Sequence, residues 1–187
     1  QAPIDRYERL ELPDGDFIDL AWAINGLSSD APLVILLHGL GGSVHSTYVA
    51  GLLRSFNESG YRGVLMHLRG ASQELNRFAR AYHSGDTADF AYFLKSLDSR
   101  EPNTKKAAVG ISLGGNILLK WLGESGSQPF IHAAAAVSVP FQLHAVAERI
   151  NQGFSRIYQT SLLRGLRSVF LKKLEILNNE LPFLELI

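Results

Sequence analysis

Gly110-Ile111-Ser112-Leu113-Gly114 sets a serine between glycines, behind an apolar run and ahead of a helical pattern. A serine hydroxyl is a weak nucleophile. Chemistry at it needs a base to take its proton and donors to hold the negative charge that attack creates. A sharp strand-to-helix turn helps with both, because it lifts the hydroxyl clear of the backbone and places it beside the free N–H groups of a helix N-terminus. Gly110 and Gly114 give such a turn its room, and Gly115 extends it. Ser112 is therefore the candidate nucleophile and the N–H of Leu113 one candidate oxyanion donor. A second glycine-rich loop, His38-Gly39-Leu40-Gly41-Gly42, follows an earlier apolar run, and the N–H of Leu40 is the candidate second donor, with Gly39 and Gly41 keeping the loop compact. His38 itself reads as structural. The loop is not a dinucleotide site: its spacing is not Gly-x-Gly-x-x-Gly, and no fitting acidic residue ends the next strand.

A base and an acid are harder to find. No aspartate follows Ser112, and the histidines that follow it are His132 and His144. Glu124 falls near the end of the helix after Ser112, facing away from the turn, and His144 opens a helix after the last strand. His45 and His83 lie in loops at the C-terminal ends of strands, where open α/β sheets bind ligands, and read as loop-ordering hydrogen-bonders. His67 and His132 sit on or beside strands and read as structural. The chain thus carries half of a catalytic site, with its acid and base absent. No His-x-x-x-His or comparable carboxylate spacing supports a metal, and no cofactor is expected.

The elements that must position these residues follow from hydrophobic period and turn chemistry. Residues 6–12 and 16–23 flank Pro13-Asp14-Gly15, a tight-turn signal, and read as an antiparallel hairpin. Residues 25–32 form a polar linker. Residues 33–37 are continuously apolar, as in a strand buried on both faces of a parallel sheet. Residues 46–57 carry helical spacing that closes at Gly60, and 61–68 form another strand. Residues 69–85 read as a long polar loop, and Asp86 as the N-cap of the helix after it. A strand over 107–111, a helix over 114–122 and a third buried strand over 133–139 complete three strand–helix alternations, which demand parallel pairing. Beyond 143 the pattern is helical only, over 145–150, 155–166 and 167–177. The fold class is α/β, with a core over 1–142 and an incomplete helical cap over 143–187.

Composition bounds the partners. Hydrophobic residues at 46% and charged residues at 19% describe an ordinary globular chain, and eighteen basic residues balance eighteen acidic ones. No net field is available to recruit nucleic acid, so a neutral or apolar small molecule is the expected partner. The absence of cysteine excludes disulfides and a thiolate nucleophile. No apolar stretch approaches the roughly 18–20 residues that span a bilayer. With no signal-peptide layout at the start, a cytoplasmic protein is expected. The apolar stripe through Leu162, Leu166, Val169 and Phe170, with Arg164, Arg167, Lys172 and Lys173 beside it, reads first as a cap packed on the domain; a membrane-surface contact is the second reading. Gln1 and the apolar residues 181–187 give both ends the look of cuts.

Several further stretches carry a likeness: Leu12-Pro13-Asp14-Gly15-Asp16-Phe17, Arg69-Gly70 with Asn76-Arg77, Ala81-Tyr82-His83-Ser84-Gly85, Val139-Pro140-Phe141 and Gly153-Phe154-Ser155-Arg156. With the two glycine loops, the chain resembles the YheT-type branch of the α/β-hydrolase superfamily, serine esterases related to the mammalian abhydrolase-domain lipases. The chain departs from that family's usual pattern at Ala71 and Gln73, and at Gln142, where an aspartate is usual. The resemblance implies an α/β-hydrolase fold: a mostly parallel sheet with an N-terminal antiparallel hairpin and C-terminal cap helices, truncated here before the last strands. It also implies hydrolysis of a small or lipid-like carboxylic ester by Ser112, with the acid and histidine in that order beyond the present C-terminus. The alternative reading is a non-catalytic binding module or degenerate hydrolase scaffold.

Overall fold

A computed structural model of the chain describes residues 2–126 and 130–180, which fall into two compact units, 1–76 with 81–139 and 77–80 with 140–187. The expectation of a cut apolar end over 181–187 lies outside the described residues.

In the first unit the chain runs β1 (Arg6–Glu11), β2 (Phe17–Ala23), β3 (Leu33–Leu37), α1 (Thr47–Glu58), β4 (Arg62–Met66), α2 (Ala88–Arg100), β5 (Lys106–Ile111), α3 (Leu113–Ser125) and β6 (Ala133–Val137). The strands form one sheet ordered β1-β2-β4-β3-β5-β6. β1 and β2 form the antiparallel hairpin, and β2 joins β4 antiparallel; β4, β3, β5 and β6 run parallel. The hairpin closes at Gly15, whose φ of 83° favours glycine, while the Leu12 N–H donates to the Asp16 carbonyl at 2.8 Å.

β3 is apolar at every position because helices cover both faces of the sheet. Leu33, Ile35 and Leu37 pack with Met66, Phe90, Phe93, Ile117 and Leu118 on the side of α2 and α3. Leu36 packs with Leu65, Val49 and Leu53 on the side of α1. This double coverage fixes β3 and β5 side by side, with Leu37 paired to Gly110, so that both candidate loops leave the same, C-terminal end of the parallel strands.

Three expectations change in this unit. Residues 133–139 were expected to form a buried strand, but β6 ends at Val137 and its residues are exposed or half-exposed. Among the described residues β6 pairs with β5 alone, so it is an edge strand, and burial is a property of neighbours that hydropathy does not report. Ser138, at φ 53°, turns the chain out of the strand. Asp86 is not the helix cap: its N–H closes a turn on the His83 carbonyl, while the Thr87 carbonyl accepts the Ala91 N–H at 2.9 Å and makes Thr87 the cap. Third, the helix expected over 114–122 runs on past Gly123 to Ser125, and Gly126, at φ 59°, caps it.

The second unit holds α4 (Leu143–Ile150) and α5 (Ser155–Glu180). The two segments expected over 155–166 and 167–177 are one 26-residue helix. Gly165 costs a helix interior about 1 kcal/mol, too little to break an apolar stripe that continues across it. Gly153, at φ 53°, turns the chain between the helices, and Arg149 reaches the Gln152 carbonyl and the Ser155 hydroxyl across that turn. No helix of the described residues is long and apolar enough to cross a membrane.

Candidate active site

Ser112 sits between β5 and α3 at φ 52° and ψ −118°, a conformation that L-residues adopt only under constraint. The constraint is visible on three sides. The Ser112 N–H donates to the Val137 carbonyl at the end of β6 at 2.8 Å, and the Ser112 carbonyl accepts the N–H groups of Gly115 and Asn116. Around it there is no space for side chains. A Cβ on Gly110 would lie 2.6 Å from the Gly114 carbonyl oxygen, one on Gly114 2.5 Å from that of Leu37, and one on Gly115 2.6 Å from a Val139 methyl. Gly114→Ala therefore drives a methyl into backbone that cannot move without separating α3 from β3, and is expected to cost about 3 kcal/mol. Gly123→Ala, with nothing within 4 Å of the added Cβ, is expected to be neutral or slightly stabilising. Denaturant midpoints of the two variants check this contrast.

The second loop comes to the same place. A Cβ built on Gly39 would sit 3.3 Å from the Ser112 Cβ and 3.8 Å from its Oγ, so glycine lets the loop close onto the serine. Its N–H groups can be counted one by one. Gly39 donates to the Tyr48 hydroxyl at 3.0 Å, Gly41 to the Tyr82 hydroxyl at 2.8 Å and Gly42 to the Gly39 carbonyl at 3.0 Å. The Leu40 N–H makes no hydrogen bond among the described residues. Tyr48 and Tyr82 were not singled out from the sequence: one read as an apolar position of a helix, the other as part of a family stretch.

His38 is fully buried. The Leu68 N–H donates to its Nε2 at 3.0 Å, so the ring proton is on Nδ1, which donates to the Gly39 carbonyl at 2.7 Å. The ring thereby fastens the start of the loop to the chain leaving β4, and burial pushes its pKa down to about 4. The unfolded chain takes up this proton near pH 6.5 and the folded one only near 4, so the stability this site contributes is present above pH 6.5 and is lost as pH falls to about 4. Over that window the protein is expected to lose about 3 kcal/mol that a His38→Asn variant does not lose, read from urea unfolding at each pH.

The other histidines stand apart from the serine in their bonding. His83 Nδ1 accepts the Gly85 N–H, and His144 pairs with Glu148 along α4. Glu124 is held by Thr87 and Lys120. Among the described residues no histidine hydrogen-bonds the Ser112 hydroxyl, and no group of three or more His, Cys, Asp or Glu side chains could hold a metal ion. A cavity of about 540 Å³ borders Ser43 and His45, just past the glycine loop, but its walls are His67, Asp19 and the hairpin, and Ser112 is not among them.

One buried network was also missed. The loop expected to be merely polar starts with Arg69, whose side chain is 1% exposed and forks onto Asp89 at 2.7 and 2.9 Å. The same guanidinium bonds Asp16 at 3.0 Å and Asp14 at 2.8 Å, and Asn76 donates to Asp16 at 2.7 Å. Burial alone would lower the Arg69 pKa; the hydrogen bonds and charges of its carboxylate partners raise it instead. This network ties the hairpin turn and α2 to the loop that carries Tyr82.

A family model described as alpha/beta hydrolase fold matches residues 32–185. The YheT protein of Escherichia coli, whose name provisionally calls it an esterase, is 44% identical over 177 residues, covering 94% of this chain and 52% of that protein. Human phospholipase ABHD3 is 30% identical over 185 residues, covering 91% of this chain and 45% of that one. The chain thus spans about half the length of the curated relatives it matches. Among solved structures, the Pyrococcus furiosus esterase Pf2001 superposes with a TM-score of 0.65 at 19% identity, over 88% of this chain and 61% of that one. That likeness speaks for the fold.

Proposed function

The chain belongs to the α/β-hydrolase fold family, and from that premise we propose that it carries the nucleophile and oxyanion hole of a carboxylic ester hydrolase. Ser112 Oγ attacks the ester carbonyl as its proton passes to a base. The carbonyl oxygen becomes an oxyanion between the N–H groups of Leu40 and Leu113. Collapse expels the alcohol, which takes the proton, and leaves an acyl-serine that water cleaves to the acid.

One observation carries the reading: the strained Ser112 and Leu40, whose N–H makes no hydrogen bond among the described residues, lie on loops that touch through Gly39. Two such donors lower the barrier by about 3 kcal/mol each, because they are fixed before charge develops. The base and acid are assigned to sequence beyond residue 187, in the order acid then histidine that the family resemblance implies. The matched relatives extend about twice as far as this chain. The helical segment that starts at residue 143 is assigned as part of a cap, and its exposed Phe154, Ile157 and Phe170 suit an apolar or lipid-like ester.

That no histidine among the described residues bonds the Ser112 hydroxyl also fits a second reading, a hydrolase scaffold that binds without turning over. Hydrolysis of p-nitrophenyl acetate and p-nitrophenyl decanoate by the protein expressed from its entire reading frame separates the two. Saturable turnover is expected. A folded protein that cleaves neither ester would establish the binding reading instead.

A further inference from the structure

The glycine loop does not hold its shape by itself. Gly41 sits at φ 65°, and inside the loop the 39–42 turn is closed by one backbone hydrogen bond. Besides the His38 ring, which holds the Gly39 carbonyl, its restraints come from two phenols on different elements. Tyr48, on the first turn of α1, takes the Gly39 N–H, and Tyr82, on the loop before α2, takes the Gly41 N–H. Tyr82 is itself fixed, packed against the apolar core and edge-on to the His38 ring at 6.2 Å between centroids. The tethered N–H groups flank Leu40 on both sides.

We propose that Tyr48 and Tyr82 are positioning residues that together hold the Leu40 N–H on the oxyanion, acting through Gly39 and Gly41 rather than on the substrate. The inference rests on the reading of Ser112 and Leu40 given above. Its physical content is preorganisation: a donor that must first be gathered by the substrate spends binding energy on ordering the loop, and a small misplacement of a catalytic group is costly to rate. Each phenol also removes an N–H that would otherwise compete with Leu40 for the carbonyl oxygen, so the loop offers one donor in one direction.

Tyr82→Phe and Tyr48→Phe delete one oxygen each and leave the rings packed. In the protein expressed from its entire reading frame, each is expected to lower kcat for p-nitrophenyl acetate about tenfold, with KM within roughly twofold of wild type. The inhibition constant for phenylboronic acid, which adds to a serine as a tetrahedral mimic, should rise in step with the fall in kcat while the unfolding midpoint stays put. Unchanged kcat and boronate affinity in both variants overturns the inference. So does a loss of rate that follows only a lowered unfolding midpoint, which is what a packing role produces. Should one variant fail to fold, the other decides, since the two tethers come from separate elements. A Ser112→Ala protein that still turns over at the wild-type rate would remove the reading of the site itself; loss of activity there with full activity in both phenylalanine variants removes only the tyrosine tether.

Discussion

Ser112→Ala is expected to lower kcat for ester hydrolysis by about 10⁴-fold or more while leaving KM within a few-fold, because it deletes the proposed attacking atom and keeps the proposed oxyanion donors and the rest of the surface. The fold should not suffer. Alanine and serine meet the same backbone difficulty at φ 52°, and among the described residues the Ser112 hydroxyl makes no hydrogen bond that alanine would forfeit. Ser112→Gly goes further: it removes the nucleophile and relieves a conformation that costs a non-glycine residue about 1–3 kcal/mol, so it is expected to unfold at a higher denaturant concentration than wild type. A variant that gains stability as it loses all activity marks strain kept for function. Steady-state kinetics with equilibrium unfolding on the same three proteins reads both effects. Retention of more than roughly a tenth of the wild-type kcat by Ser112→Ala would mean that another group attacks the ester.

Arg69→Met is expected to be the most damaging of the stability variants, at about 3–5 kcal/mol, although it exchanges a charged side chain for an apolar one of similar length. The cost lies in what remains. Asp16 is fully buried and the Asp89 side chain is 10% exposed, and each loses a charge-assisted partner in a place with little access to water. Asn76 still donates to Asp16, which softens the loss there, while Asp89 loses both arms of the fork. Arg69→Lys keeps the charge but not the planar fork, so it should fall between methionine and wild type. The denaturant midpoint should shift with the slope of the transition unchanged, as for a change in stability without a change in the surface exposed. The loop that starts at Arg69 also carries Tyr82, so kcat should fall in the folded fraction of Arg69→Met.

How far the molecule could be read from its sequence depended on the range of the interactions involved. β3 was legible to the residue, because five apolar positions between a linker and a glycine loop have few other solutions. The turn at Ser112 was legible because its requirements are local: three glycines and a serine within a few positions must share one tight space, and the structure puts backbone or a methyl under 3 Å from each missing Cβ. Burial of β6 was not legible, since a run of alanines reads as core whether or not a neighbouring strand lies beside it. Arg69 read as loop polarity because its partner Asp16 is 53 positions away, and charge inside a core has no signature in a hydropathy pattern. The tyrosines were missed for the same reason. Tyr48 fits the apolar spacing of α1 and serves it with its ring, while the oxygen at its tip serves a loop nine residues upstream. Tyr82 reaches across 41 positions to Gly41. Amphipathic side chains satisfy two demands at once, and periodicity reports only the apolar one.

The most direct test of the central claim is covalent labelling of the protein, expressed from its entire reading frame, with a fluorophosphonate, followed by peptide mapping. Such a probe phosphonylates a serine whose hydroxyl is activated and whose oxyanion hole accepts the phosphoryl oxygen. One label per chain, on the peptide containing Ser112 and absent from Ser112→Ala, is the result expected. A protein that hydrolyses esters while its label maps to any other residue, or that carries no label at all, would contradict the assignment of Ser112 as the nucleophile.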